Sequence, residues 1–279
     1  MSHRPFQMAF LADMQLGMYA TFSGMTEAEV ARYAAVDMRV DAVPAVEGFE
    51  WDASHYRRAV KMVNGLRPDL VVVGGDMIDD PNGDDQIEAF FEITAGIDPA
   101  IPVRYAPGNH DVAPDTVVPT RDSIARYRDT FGPNWYTFTE AGVTFLVLDT
   151  VVIDHPQLVP DEWAAEQAFI DETLDTIPPD VRIVAIGHHP LFLDHPDEPD
   201  TYWNLPHERR RPLFDRLHAA GVRLALAGHW HRNNVAVHHG FEMVTSGPVG
   251  YPLGADPSGF RIVEVHPDRI AHAYLALTE

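Results

Sequence analysis

The chain has 279 residues, 46% of them hydrophobic, with 20 Lys+Arg against 42 Asp+Glu and a formal charge of −22 when histidine is neutral. With no cysteine it can form no disulfide, thiolate zinc site, iron–sulfur cluster or cysteine nucleophile, so any metal must be held by His, Asp, Asn, Glu or Gln. So acidic a surface repels phosphate backbones and anionic lipid, which argues against nucleic acid and membranes as partners, and the apolar fraction is ample for a core without staples.

The leading residues, Met1 to Gln7, run into a short apolar stretch that meets Asp13. That is too short for a secretory signal, and no stretch nears the ~20 apolar residues of a membrane span. A soluble cytoplasmic protein is the expectation. Residues 8–12 form the first of six short apolar runs and stop at Asp13 and Gln15. The long connection over 16–50 reads as a candidate lid. A helix is predicted over 53–66, a strand over 70–73 ending at Gly74-Gly75-Asp76, and a helix over 86–95. Residues 102–106 then lead into Gly108-Asn109-His110-Asp111. A strand over 144–148 ends at Asp149, read as a cap on the following turn. A helix over 160–176 precedes the strand 182–186, which meets Gly187-His188-His189. The acidic, Pro-rich stretch 193–206 is a second candidate lid. The helix 205–220 closes on Gly221, with Arg209-Arg210-Arg211 read as a solvated face, and the strand 223–227 meets Gly228-His229-Trp230-His231. Strands over 241–245, 260–265 and 270–275 read as a more antiparallel second sheet on the same core.

Runs of Val, Ile and Leu without alternation are the pattern of strands buried on both faces, and their alternation with helices predicts an α/β architecture. One domain spanning residues 1–279 is expected. Metal-ligand residue types and glycines collect at the C-terminal ends of the strands, the rim where open α/β sheets place ligands. Residues at i and i+2 on extended backbone project to one side, so Asp13 with Gln15, and His229 with His231, can each reach a common metal. Adjacent His188 and His189 cannot both do so. A mixture of carboxylate, amide oxygen and imidazole suits Mn²⁺, Fe²⁺ or Zn²⁺.

The ordered series Asp13 to Gln15, Gly75 to Asp79, Gly108 to Asp111, Gly187 to Pro190 and Gly228 to His231 resembles the five motifs of the calcineurin-like metallophosphoesterase superfamily. The resemblance implies a four-layer sandwich, two mixed β-sheets flanked by helices, and a binuclear metal-dependent hydrolase of phosphate esters. Carried over by position, it implies that Asp13, Gln15, Asp76 and His231 hold one metal. Asp76, Asn109, His188 and His229 would hold the other, with Asp76 bridging. His110 becomes the general acid, oriented by Asp79, and the two ions supply activated water for in-line attack at phosphorus. Their +4 against the −2 of Asp13 and Asp76 leaves a local excess of about +2 in an otherwise negative field.

Gln15 departs from the histidine that most of the superfamily carries. A carboxamide oxygen is a harder donor than imidazole, so the expected metal pair, Mn, Fe or Zn, tilts toward Mn. The Asp-x-Gln variant resembles two subgroups, the vertebrate calcineurin-like phosphoesterase-domain-containing phosphatases and the manganese-dependent ADP-ribose/CDP-alcohol diphosphatases. The first is also similar in Tyr202 to Leu205, in Gly228 to Asn233 and in Asp256 to Arg261. The substrate implied is a small phosphate ester or a phosphorylated protein, hydrolysed as a monoester. The alternative is a phosphodiesterase or nucleotide diphosphatase, and more remotely a non-catalytic binding module, which would be expected to have lost Asn109, His110 and Asp79. For the substrate itself, Arg232 is a candidate phosphate clamp or surface ion pair, Trp203 a stacking surface and Asn109 a further contact. Oligomeric state is not legible.

Overall fold

The computed structural model describes residues 5–113, 118–178 and 180–278; the expectation concerning residues 1–4 lies outside these. Two mixed sheets form the centre. In the first, β1 (Phe6–Leu11), β2 (Leu70–Val73) and β3 (Val103–Tyr105) are parallel, and β10 (Gly259–Val265) and β11 (Ile270–Ala276) extend the edge beyond β1 antiparallel. In the second, β5 (Val143–Val147), β6 (Arg182–Ile186), β7 (Leu224–Ala227) and β9 (Phe241–Thr245) are parallel. Antiparallel β4 (Tyr136–Glu140) and β8 (Asn234–His238) close its two edges.

The strand period of two sorts the side chains into layers. Met8 and Phe10 of β1 face Phe145, Ile186 and Leu226 of the opposite sheet in the central core. Ala9 and Leu11 point the other way, onto α3 (Glu50–Leu66), α4 (Asp84–Thr94) and α6 (Arg121–Phe131), which contribute Tyr56, Phe90 and Tyr127. The outer face of the second sheet packs Ala185 and Met243 against Ile170 of α8 (Pro160–Thr176) and Phe214 of α9 (His207–Ala219). Both faces of each sheet are thus apolar, which is why the strands read as unbroken apolar runs. No helix among the described residues is long and apolar enough to cross a membrane.

Three sequence expectations are corrected. The C-terminal strands do not form a sheet of their own: β9 joins the second sheet, while β10 and β11 extend the first. Parallel pairing of β9 with β7 was hidden because periodicity reports burial, not partners. Arg210 is not a solvated residue. It is fully buried and donates to the carbonyls of Pro196, Glu198 and Leu205 and to Asp200. The stretch 193–206 is consequently a stapled loop. Glu198 inside it accepts from the amides of Leu193, Asp194 and His195 and from the Asn204 side chain. The other candidate lid carries α1 (Met18–Thr21) and α2 (Glu27–Ala34) and packs Phe22, Tyr33 and Met38 onto Tyr251 and Leu253.

Candidate metal centre

Each candidate ligand sits just past a strand end. Asp13 and Gln15 follow β1, Asp76 follows β2, and Asn109 and His110 open α5 (Asn109–Val112) after β3. His188 follows β6, and His229 and His231 follow β7. The first sheet supplies one half of the set and the second sheet the other. The loops are stitched together: the Asp13 amide donates to the Gly75 carbonyl at 3.0 Å, Gln15 to Asp76 at 2.8 Å and Gly228 to His188 at 3.0 Å. Asp111 fastens a further pair, accepting from the amides of Gly108, Asp76 and Met77.

Asp13, Gln15, Asp76, His229 and His231 all have φ between 37° and 69°, a left-handed conformation that costs a residue with a Cβ ~1–2 kcal/mol. Such strain persists where the surroundings enforce it, and it turns these five side chains toward one point. The two glycines are equally constrained. A Cβ on Gly75 would lie 2.5 Å from His188 Nδ1, and one on Gly108 would collide with the Asp76 carboxylate.

The result is two buried donor groups that share Asp76. Donor atoms of Asp76, His188 and His229 lie within 4.8 Å of one another, as do those of Asp13, Asp76 and His231. The hydrogen bonds around them fix which atoms face inward. His188 Nδ1 donates to the Gly74 carbonyl at 2.8 Å and His231 Nδ1 to the Tyr251 carbonyl at 2.7 Å, which leaves each Nε2 bare in the neutral ring. His229 is reversed, its Nε2 donating to the Tyr202 carbonyl at 3.0 Å. Asp13 Oδ1 accepts from the His229 amide and Asp76 Oδ1 from the His110 amide, both at 2.9 Å.

Three inward atoms, Asp13 Oδ2, Gln15 Oε1 and His188 Nε2, are buried without a hydrogen-bond partner among the described residues. The last faces Asp76 Oδ2 at 3.0 Å. A bare nitrogen opposite a carboxylate oxygen repels unless a proton or a cation lies between them. Buried lone pairs converging in this way fit divalent metals. Gln15 fits as well: its Nε2 donates to Asp79 at 3.0 Å, so its oxygen is the atom turned inward.

The electrostatics of the cluster follow. Burial pushes the Asp76 carboxyl up, but His188, His110 and His229 hold it far below the ordinary carboxylate range. Burial alone would lower His188, yet Asp76 and Asp13 raise it to about 10. His229, desolvated and beside His188, is driven down to about 3. Asp13 is raised by burial against the pull of His231 and His188. The cluster thus holds a proton on His188 that a metal would have to displace.

His110 stands at the edge of this centre, 16% exposed. Its Nδ1 bonds the Asp79 backbone carbonyl at 2.9 Å, while the Asp79 carboxylate lies 3.4 Å away and also receives Gln15 and Thr21. Asp79 therefore orients the ring mainly through its main chain. His189 is held by Thr150 and its ring lies against His229, centroids 4.3 Å apart: the Thr150 hydroxyl accepts from the amides of His188 and His189 and bonds His189 Nδ1 at 2.9 Å. Arg232 forms a partly exposed ion pair, the alternative to its reading as a clamp. It pairs with Asp37 at 2.7 Å and lies over the Trp230 ring. Trp203 lines the cleft above the ligands, together with Gln15, Asp76, Asp79, His110, His229 and His231. Asn109 lines a neighbouring cavity with His189 and His229. Sequence reasoning missed the carbonyls of Gly74, Tyr202 and Tyr251, since a main-chain contact to a ligand leaves no mark on residue identity.

A profile described as calcineurin-like phosphoesterase matches residues 8–233, a span that holds every candidate ligand. The serine/threonine-protein phosphatase CPPED1 of Danio rerio is 33% identical over 242 residues, covering 83% of this chain and 77% of that protein. Its Homo sapiens counterpart is 32% identical over 243 residues, covering 83% and 76%. A cAMP/cGMP dual specificity phosphodiesterase of Mycobacterium tuberculosis (strain CDC 1551 / Oshkosh) is 26% identical over 230 residues, covering 77% of this chain and 68% of its own. In fold, a dimetal phosphatase from Danio rerio superposes with a TM-score of 0.67 at 16% identity, covering 99% of this chain and 98% of its own.

Proposed function

The chain belongs to the calcineurin-like phosphoesterase family and is a hydrolase of phosphate esters, and from that premise we propose that it is a binuclear, manganese-favouring phosphomonoesterase. The observation that carries the reading is the pair of buried donor groups sharing Asp76, with the inward oxygens Asp13 Oδ2 and Gln15 Oε1 left without a hydrogen-bond partner among the described residues. Asp13, Gln15, Asp76 and His231 would hold one ion, and Asp76, Asn109, His188 and His229 the other. When bound, two such ions stabilise charge on the phosphoryl oxygens and supply an activated water.

The remaining work falls to the chain. The carbonyls of Gly74, Tyr202 and Tyr251 hold three imidazoles in the tautomers that turn a bare nitrogen inward. His110, held through Nδ1 by Asp79, would in its charged form protonate the departing alkoxide from Nε2. The adjacent Asp79 carboxylate supports the charged ring between turnovers. The CPPED1 relatives support a small phosphate ester or a phosphorylated protein as substrate. The mycobacterial phosphodiesterase supports a second reading, hydrolysis of a diester.

The test compares an aryl phosphate monoester, the corresponding diester and ADP-ribose, with purified protein in Mn²⁺ and after chelation. Hydrolysis of the monoester in Mn²⁺ only is expected. Inactivity on the monoester with turnover of either other substrate would overturn the choice of monoesterase.

A further inference from the structure

Above the candidate ligands lies a cleft of about 300 Å³, lined also by Thr21 and Tyr202, with one apolar wall: Met18, Phe22, Tyr33 and Met38 from the segment carrying α1 and α2, with Trp203 and Leu253. These residues belong to one small apolar cluster, so the two connections flanking the site pack as a single wall. Phe22 and Tyr33 meet edge to face, ring centroids 5.3 Å apart, and Trp203 approaches His229 to 5.7 Å. Among the described residues lining this cleft there is no lysine or arginine. The nearby Arg232 is engaged by Asp37 and the Leu253 carbonyl. What charge the cleft does carry beyond its imidazoles is negative, from Asp76 and Asp79.

We propose that this cleft selects phosphate esters whose phosphoryl group is their only anion and whose remainder is uncharged and aromatic or apolar, and that it rejects substrates with a second anionic group, pyrophosphates included. The proposal rests on the reading that cations at the shared Asp76 centre receive the phosphoryl group. A second anion would lose its water against thioethers and ring faces, with only neutral donors such as the Tyr33 hydroxyl and the Trp203 indole N–H in place of a cation, and would stand near the Asp79 carboxylate. A flat apolar group instead exchanges water for aromatic edges and faces and for methionines that adapt to its outline.

Equilibrium binding separates this from the chemistry. The Mn²⁺-loaded full-length protein is titrated with inorganic phosphate, benzylphosphonate, propylphosphonate and 3-phosphonopropionate, the last being propylphosphonate with a carboxylate in place of its terminal methyl. Benzylphosphonate is expected to bind about tenfold tighter than propylphosphonate, and 3-phosphonopropionate about tenfold weaker. Tyr33→Ala should remove most of the benzyl advantage while Tyr33→Phe retains it, with phosphate affinity marking both variants as folded and loaded. Equal affinities for the three phosphonates, or tighter binding of the carboxylate compound, would overturn the proposal while leaving the metal reading intact. Failure of phosphate itself to bind the loaded protein would overturn the metal reading first.

Discussion

His110 and Gln15 are the two residues whose roles a single substitution separates. His110 reaches the centre through its backbone amide on Asp76 and presents its ring to the cleft. His110→Ala should therefore lower kcat by ~10²–10⁴-fold with bound Mn unchanged, measured by steady-state kinetics beside metal analysis; loss of metal would show the ring to be a ligand. Gln15→His replaces a hard oxygen by a softer nitrogen, so Zn²⁺ should gain on Mn²⁺ in competitive titration. Unchanged relative affinities would place Gln15 outside the ligand set. These positions are visible in sequence because a ligand turned inward at a strand end needs a tight turn, and the turns carry glycine. Arg210 shows the opposite case. Within Arg209-Arg210-Arg211 nothing in residue type marks it, yet it shares the i, i+3, i+4, i+7 stripe of Leu213, Phe214 and Leu217. Position on the helix held the information that composition concealed.

At the level of elements, Arg210 joins α9 to the loop 193–206, whose Tyr202 carbonyl holds His229. Arg210→Met fills the space but leaves buried carbonyls unpaired, at ~1–3 kcal/mol each. Thermal unfolding should fall by several degrees, and limited proteolysis should then cut within 193–206. A second buried junction links α7 (Thr150–Asp154) to α8. Asp149 caps α7 by accepting from Val151 and Val152, as the turn reading expected, and its own amide donates to Glu166 at 2.7 Å. Burial and the neighbouring Asp149 raise the Glu166 carboxyl well above its usual range. An acid raised in the folded state lends stability that is complete below its unfolded pKa and is lost as pH rises through the folded value. Glu166→Gln keeps the acceptor and cannot ionise, so unfolding temperatures should fall less between pH 5 and 9 than in wild type; parallel curves would show Glu166 to be inert. Elements missed by sequence include the edge strands β4 and β8 and the core-packed helix α6. In β4 the alternation of Tyr136 and Phe138 with Thr137 and Thr139 is short, and α6 is polar apart from its buried stripe, though Thr120 and Gly132 mark its two ends.

For the whole molecule, the charge of −22 and the centre it surrounds respond to pH in a defined direction. His188, raised to about 10, must release a proton when a metal binds, whereas His229, near 3, has none to release in the neutral range. Metal affinity should thus rise with pH. One proton displaced is worth about 2.7 kcal/mol over two units of pH, so the gain in unfolding temperature on adding Mn²⁺ should be larger at pH 8 than at pH 6. An equal gain at both would mean that no proton leaves. The two parallel sheet centres were legible as apolar runs; the distribution of β9, β10 and β11 between them was not, because pairing is settled by docking across the core.

That docking bears on how the protein comes to be loaded and how long it lasts. The candidate ligands run from Asp13 to His231 along the chain, and the Asp13 carboxylate meets the His229 amide across the join between the two sheets. By the proposed ligand assignment neither ion would have its full set of ligands before both sheets have come together. Metals would then enter a chain already folded and would leave the rate of folding almost untouched. Their effect would fall on escape from the native state, since the two sheets cannot part while ions hold them together. The loaded protein would be set apart chiefly by its lifetime.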